Sequence, residues 1–393
     1  MGMTRSAVVV GAGIGGLTAA LVLARAGFKV DIYEQAHKLE PVGAGLQLAP
    51  NCMHILEGLG LVPALRKVAV ESESVLIRAG RTAQTLGGMK QGQAAIDRWG
   101  APFLVIHRGD LQTALLEAVY LEPRISLSLG RRLEDIRAKP DHVQAVFSKY
   151  GDEIEVETAL LIAADGIWSR ARAHVGLTAP ANFSGCVAWR TVIPADAAPE
   201  AARIRRTNLW LNADGHVVHY PIRDGRDINV VAVLEDSWRE RGWSEAGDVA
   251  WINRRFRDWH PEIRELIGCA DTWLRWSLFD RAPDWKWTRG PVALLGDAAH
   301  PMVPFLAQGA AQAIEDAGVL GQCLAETDDF PKALKLYEEH RLRRAARVQR
   351  LSHRQMKIYH ASGPVALARD LAMRVMGESG MARSMDWLYS HRL

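Results

Sequence analysis

The chain reads as a mixed α/β protein. A Rossmann-like, dinucleotide-binding parallel sheet is interleaved with an antiparallel sheet and followed by a helical C-terminal segment. Two observations predict this: four apolar strands that each run into a helix, and a β-rich stretch with hairpin signals set between them. At 393 residues the chain is too long for one typical core. Its 48% apolar and 24% charged residues fit a globular enzyme, and a net charge of +3 is too small to point to nucleic acid.

The first unit runs from Ala7 to Glu34: the strand "AVVV", a glycine turn, the helical "LTAALVLARAG", then "KVDIYE". Gly11, Gly13, Gly15 and Gly16, with Ile14 among them, let the backbone turn tightly and approach a pyrophosphate seated on the helix N-terminus. Glu34, closing the next strand, can bind both hydroxyls of a ribose. Strand, turn, helix and acid in register predict dinucleotide binding and leave NAD and FAD both open. The same grammar recurs at "FLVIHRGDLQTALLEAV" around Arg108, at "ALLIAADGIWSRARAHV" around Asp165, and at "PVALLGDAAHPMVPFLAQGAAQAIEDAG" around Gly296 and Asp297. Ligands of open parallel sheets bind beyond the carboxyl ends of the strands, so these groups can converge on one cofactor, although helix capping would also suit Asp165.

From about Gly185 to Trp238 the pattern changes to β-runs broken by "NADG" and "RDGRD", signals of antiparallel hairpins. Eleven of the thirteen tryptophans lie between Trp168 and Trp287; sheet core explains most of them, and a flat apolar ligand is the alternative. The basic segment after Phe330 is read as a solvated helix or packing arm rather than a membrane or nucleic-acid surface. Cys52, Cys186, Cys269 and Cys323 are isolated, so neither a metal site nor a disulfide framework is expected. No apolar run reaches membrane-spanning length, and the chain enters its first strand too early for a signal peptide, so a cytoplasmic protein is expected. Gly2 and Ser6 match a short acylation pattern that is taken as chance.

Taken together in this order, the glycine fingerprint with Glu34, "HRGDL", "AADGIWSRAR" and "GDAAHPMVPFLAQGAAQAIEDA" resemble the FAD-dependent aromatic hydroxylases, the single-component flavoprotein monooxygenases, across about residues 5 to 350. The resemblance implies an FAD-binding domain made of residues 1–72, 106–180 and 276–350. Residues 73–105 and 181–275 would form the substrate domain and 351–393 the C-terminal helices. The resemblance is to the compact branch, for which the extra thioredoxin-like domain of larger phenol hydroxylases is not expected, and no second glycine fingerprint is visible for a nicotinamide nucleotide, so NADH or NADPH would visit as a cosubstrate. Glu34 would hold the adenosine ribose, Arg108 the phosphate or ribityl region and Asp297 the ribityl chain, with Asp165 in the second fingerprint. Gly296, Pro304, Gln308, Gly309 and Ala310 would run beside the isoalloxazine.

Such an enzyme hydroxylates an electron-rich ring with O2 by way of a flavin C4a-hydroperoxide. It therefore needs a closed apolar cavity and a base for the phenol. In "GHVVHYPI", strand alternation places His216, Val218 and Tyr220 on one face. Alone, such a pair is more often core or surface. The segment resembles that of the 3-hydroxybenzoate 6-hydroxylases and 6-hydroxynicotinate 3-monooxygenases, where the pair lies beside the ring and assists para-hydroxylation, so His216 and Tyr220 are the expected catalytic residues. Gln47 and Pro304 are further expected substrate contacts; Pro304 stands where a 3-hydroxybenzoate enzyme can carry glutamine. His300 is read as ordering its loop, and Arg190 as a strand arginine with no assigned role. The expected partners are a small aromatic acid, NAD(P)H and O2, with 3-hydroxybenzoate first and salicylate or 6-hydroxynicotinate as alternatives. A homodimer is possible, with no nucleic acid and no membrane. A flavin reductase that inserts no oxygen, and a catalytically silent flavoprotein, are the competing readings.

Overall fold

The computed structural model describes residues 5–39, 45–139, 142–240 and 245–392. Gly2, of the short acylation pattern, lies outside them.

Four parallel strands, Leu160–Ala163, Ser6–Val10, Lys29–Glu34 and Ile125–Leu129, are extended by the antiparallel pair Val292–Leu294 and Thr288–Arg289, with Val292–Leu294 parallel to Leu160–Ala163. These strands are runs of Val, Ile, Leu and Ala because helices or a second sheet cover both faces. Helices Ile14–Arg25, Arg108–Leu121 and Gly309–Glu326 pack together on one side. The three-stranded hairpin sheet of Arg132–Ala138, Val143–Lys149 and Asp152–Thr158 lies toward the other, where Phe147 stacks on Tyr33 with ring centroids 4.2 Å apart.

The second large sheet has eight strands. Its centre is Asn182–Pro194, Asp227–Glu235, Gly215–Ile222 and Arg206–Asn212, all antiparallel, and residues 74–90 add the edge strands Ser74–Ala79 and Thr85–Lys90. Odd-numbered Trp189 and Val217 and even-numbered Trp210 and Ile228 turn to the back face. There helices Val249–Arg255 and Pro261–Gly268 complete a core with Trp259 and Trp273. Most of the tryptophan-rich stretch is therefore sheet-to-helix packing, and Trp276 is the buried indole on the opposite, front face.

One expectation is corrected. Leu104–His107 does lead into helix Arg108–Leu121, but it pairs antiparallel with Gly45–Leu48 and Val70–Glu71 in a small separate sheet, not with the parallel strands. An apolar strand followed by a helix looks the same in either setting, because the pairing partner is non-local.

The basic segment after Phe330 is a packing arm, helix Phe330–Tyr359, capped by Asp329. Its inward face carries Leu334, Tyr337, Ala345 and Val348 at helical spacing. Polar residues on that same face bind the rest of the fold: Glu338 accepts from the Trp287 and Thr288 amides, Gln349 donates to the Pro301 carbonyl at 3.1 Å, and Ser352 to that of Val303.

Candidate active site

The registers of the parallel sheet bring the strand ends level: Val10 is opposite Ala163 and Tyr33, and Ala163 is opposite Leu294. Gly11, Glu34, Asp165 and Asp297 consequently lie along one edge. At the fingerprint, Gly11 has φ +100°, and a Cβ there would come within 2.5 Å of the Ala164 carbonyl oxygen. A Cβ on Gly16 would reach 2.0 Å from the Gly11 oxygen, and one on Gly15 2.8 Å from Leu295. These three glycines are required by packing. Gly13 differs: a Cβ on it meets nothing within 4 Å, and the same holds at Gly309. Open space against both backbones is what a ligand lying on them needs.

Helices Ile14–Arg25 and Gly309–Glu326 begin at that edge with no capping side chain and no acid in the first turn. Their free amides and positive dipole ends are therefore available to an anionic or electron-rich group. Glu34 receives the amides of Ala12 and Ala36, each at 2.8 Å, which fixes its carboxylate beside the turn. Asp165 receives the Arg170 amide at 2.9 Å through Oδ2, a capping contact, while its buried Oδ1 has no hydrogen-bond partner among the described residues. Arg108 lies within electrostatic reach of Asp297; burial pushes the Asp297 carboxyl upward, and His300 and Arg108 oppose that shift. Unfilled backbone cradles, two uncapped helix starts and an unpartnered carboxylate oxygen on one edge fit a dinucleotide such as FAD.

The loop from Asp297 to Gln308 is held from beneath. His300 Nε2 bonds Asp316 Oδ2 at 2.6 Å, and Asp316 also takes the Gly296 amide and the Arg341 guanidinium at 2.9 and 2.6 Å. His300 is fully buried in that network, which ties the loop to the following helix. Glu315 binds both Arg341 and Arg344; against the upward push of burial, those arginines hold Glu315, and His300 with Arg341 hold Asp316, each at a pKa of about 2. Gln308 is buried and accepts from Asn51 at 3.0 Å. Pro304 opens a single 3-10 turn and is exposed, and Ala310 lies in the first turn of the next helix.

Above the loop stands the front face of the eight-stranded sheet. His216 is 4% exposed and packs on Phe305 and Tyr359, with centroids 5.0 and 5.3 Å away. Its Nδ1 is hydrogen-bonded at 3.0 Å to His360 Nε2. Burial, reinforced by His360, lowers the His216 pKa well below the ordinary histidine value, so the ring is neutral. Tyr220 shares the face but not the neighbourhood. Val218 intervenes, four strand residues span about 13 Å, and the Tyr220 ring abuts Gly45, whose amide donates to Asn229 at 2.7 Å. The expectation that the two form a pair in space is corrected to one face and two stations. Gln47 follows Gly45 on the same side of its strand and is half-buried.

Two residues were missed or set aside in the sequence reading. His360 lies 144 positions from His216 and no local pattern marks it. Arg190 has its guanidinium carbon 3.0 Å from the Trp276 ring centroid, and its Nε is buried with no hydrogen-bond partner among the described residues. Burial, with Arg108 nearby, brings its pKa down to about 9, and Tyr220 partly offsets this. Strand alternation puts Arg190 on the front face, but that no counter-charge meets it among the described residues is a three-dimensional fact. Among the described residues no cluster could hold a metal ion, and no helix is long and apolar enough to cross a membrane.

Comparison with known proteins agrees with this geometry. Residues 4–352 match the family model described as an FAD binding domain. The chain is 35% identical over 390 residues to the 3-hydroxybenzoate 6-hydroxylase of Klebsiella oxytoca, covering 99% of this chain and 97% of the relative. It is 35% identical over 351 residues to the 6-hydroxynicotinate 3-monooxygenase of Bordetella bronchiseptica, covering 88% and 90%. Klebsiella pneumoniae HpxO, solved with FAD and uric acid, superposes with a TM-score of 0.86 at 26% identity, covering 97% of this chain and 95% of that one. Fingerprint, fold and relatives coincide, and the chain belongs to the FAD-binding-domain family as an FAD-dependent aromatic monooxygenase.

Proposed function

We propose that the substrate is a monohydroxylated aromatic acid, first of all 3-hydroxybenzoate hydroxylated para to its hydroxyl, with NAD(P)H and O2 as cosubstrates. The observation that carries this reading is the pairing, on one sheet face, of a neutral buried base with a half-buried cation that meets no counter-charge among the described residues. Arg190 and Val218 are both in register with Val231, and His216 is two residues from Val218. The backbones of Arg190 and His216 are therefore about 12 Å apart, from the usual strand spacing and rise. One ring with a carboxylate toward Arg190 and a hydroxyl toward His216 satisfies both groups. A carboxylate supplies the counter-charge that Arg190 does not find among the described residues, and a neutral imidazole can accept the phenolic proton, which makes the ring more nucleophilic.

FAD, when bound, supplies the redox chemistry with dioxygen. The protein's own contribution is to hold it and keep water out. Gly13 and Gly309 admit the cofactor to the backbone, Asp165, Glu34, Arg108 and Asp297 line the edge it follows, and Pro304 with the Gln308–Ala310 turn would border its ring. Val303, Phe305, Val233, Leu278 and Trp276 form an apolar wall between sheet and loop. Tyr220 and Gln47 would position the substrate at the end remote from His216.

A panel of hydroxybenzoates and hydroxypyridine acids, scored for stimulated NADH or NADPH oxidation, oxygen uptake and product identity, tests the proposal. 3-Hydroxybenzoate is expected to give 2,5-dihydroxybenzoate. Salicylate or 6-hydroxynicotinate as the better substrate would reassign the ligand within the class, and reduction without oxygen uptake would sink the assignment.

A further inference from the structure

His216 is one end of a chain of polar contacts that runs from the front face of the sheet to the surface. Its Nδ1 is hydrogen-bonded at 3.0 Å to His360 Nε2, and His360 Nδ1 lies 3.3 Å from Glu235 Oε1, an ion-pair contact without the alignment of a hydrogen bond. The three differ in burial: His216 is 4% and His360 7% exposed, whereas the Glu235 side chain is 57% exposed. Two dry imidazoles thus connect the substrate face of the sheet to a carboxylate in water. Phe305 packs on both rings, with centroids 5.0 and 5.6 Å away, and closes the path from the side.

We propose that His216, His360 and Glu235 form a proton exit from the substrate cavity to solvent, and that Glu235 sets which nitrogen of His216 is free to act as base. The inference rests on the reading above that a phenol binds at His216. A carboxylate can only accept, so beside Glu235 the His360 proton belongs on Nδ1 and the Nε2 lone pair faces His216. His216 must then donate from Nδ1, which leaves its Nε2 as an acceptor; that nitrogen makes none of the hydrogen bonds found among the described residues. Each tautomer follows from the one before it, beginning at a residue outside the cavity.

The fold prepares His360 for this work. It caps the C-terminus of helix Phe330–Tyr359, where the negative end of the dipole favours a transient imidazolium. The carbonyls of Ile358 and Tyr359 are taken by Arg369 at 3.2 and 2.8 Å, so they do not compete for the ring. Around His360, Glu235 and Asp214 favour the charged form, while burial, chiefly, and Arg369 oppose it, and the ring remains on balance easier to deprotonate than a free histidine. It can therefore pass a proton without keeping it.

The transfer is balanced. The phenolic O–H bond breaks with its electron pair left on oxygen, and His216 Nε2 gains that proton. His216 Nδ1 gives its own proton to His360 Nε2, and His360 Nδ1 gives one to the Glu235 carboxylate and so to water. No electron changes hands. Running the chain in reverse resets both tautomers when the product is protonated.

The test uses oxidised holoenzyme without turnover and 3-hydroxy-4-nitrobenzoate, whose phenolate absorbs in the visible, with a pH indicator reporting proton release by stopped flow. Glu235→Ala removes a largely exposed side chain. His360→Gln and His360→Ala interrupt the chain, the former keeping most of the packing. Each is expected to raise the apparent pKa of the bound probe by about one unit and to slow proton release about tenfold or more. Added imidazole should restore the release rate in His360→Ala and do nothing for Glu235→Ala. Unchanged probe pKa and release rate in Glu235→Ala and His360→Gln, or a slow His360→Ala that imidazole does not rescue, would overturn the relay. Hydroxylation by the wild type separates the two claims: normal product with unperturbed variants defeats the relay alone, and a wild type that hydroxylates no member of the panel defeats the proposed function.

Discussion

His216 and His219 stand three residues apart on one strand, both buried, and face opposite ways. His219 lies on the back face, where the Trp210 indole N–H donates to its Nε2 at 3.1 Å and where burial, with Arg78 and Arg206, lowers its pKa to about 3. His216 lies on the front face, where its partner is a second histidine that leads to solvent. Burial makes both rings neutral, so neutrality alone does not identify a base. The difference lies in what each ring is connected to: His219 ends in a packed core, and His216 leads from the front face of the sheet, through His360, to an exposed carboxylate.

The largest expected effect comes from removing the connected ring. His216→Ala should retain FAD, judged by its visible absorbance, while kcat falls about a hundredfold or more and more of the NAD(P)H consumed appears as hydrogen peroxide. Unchanged coupling would make His216 as structural as His219. Next in size is Arg190, also on the front face. Arg190→Met should raise KM for carboxylated substrates about tenfold or more and leave binding of the corresponding phenol without a carboxylate unchanged. Because it removes a half-buried charge with no counter-ion among the described residues, the same variant should be no less thermally stable than wild type. Equal losses for the acid and the phenol would refute the carboxylate assignment.

On the back face the expected changes are in stability. His219→Leu leaves the Trp210 indole N–H without an acceptor and should cost about 1–3 kcal/mol, read by thermal unfolding, with kcat per folded holoenzyme retained. It should also alter the pH profile of stability. His219 titrates near 3 in the fold against 6.5 in the free side chain, so the unfolded chain binds the extra proton below pH 6.5. The stability tied to its neutrality is therefore complete above 6.5 and lost as pH falls, at up to about 1.4 kcal/mol per pH unit. His219→Leu should flatten the decline between pH 6.5 and 5 relative to wild type, and an equally steep decline would show that His219 does not contribute to it.

How much of this was legible beforehand follows from how local each signal is. The fingerprint Gly11–Gly16 with Glu34 and the turn at Asp297 depend on residues close in sequence, and the strand ends do meet on one edge. Period-two alternation likewise put His216 and Tyr220 on one face and His219 on the other, since the pleat leaves no other arrangement. What escaped depends on pairing and distance. Leu104–His107 looked like one more parallel strand because a strand does not carry the identity of its partner. His360 is invisible in sequence because it reaches His216 only when a 30-residue helix ends beside the front face. Alternation could place Arg190 but could not show that no acid among the described residues meets it.

The smallest expected effect belongs to Tyr220, and it discriminates between two ideas of that face. If His216 passed its proton through Tyr220, Tyr220→Phe would resemble a weak His216→Ala, with lower kcat and more peroxide. The two rings are separated by Val218 and about 13 Å of strand, and Tyr220 sits instead beside Gly45 and within electrostatic reach of Arg190. Burial raises its pKa above the ordinary phenol value, so at neutral pH it is an uncharged hydroxyl, and its proposed part is to orient a substrate without moving its proton. Tyr220→Phe should therefore raise KM a few-fold, a loss of about 1 kcal/mol for one hydrogen bond, while kcat, coupling and the phenolate absorbance of a bound nitrophenol probe remain as in wild type. A fall in kcat with a shifted probe pKa would join Tyr220 to the proton path and end the distinction between the two stations of the front face.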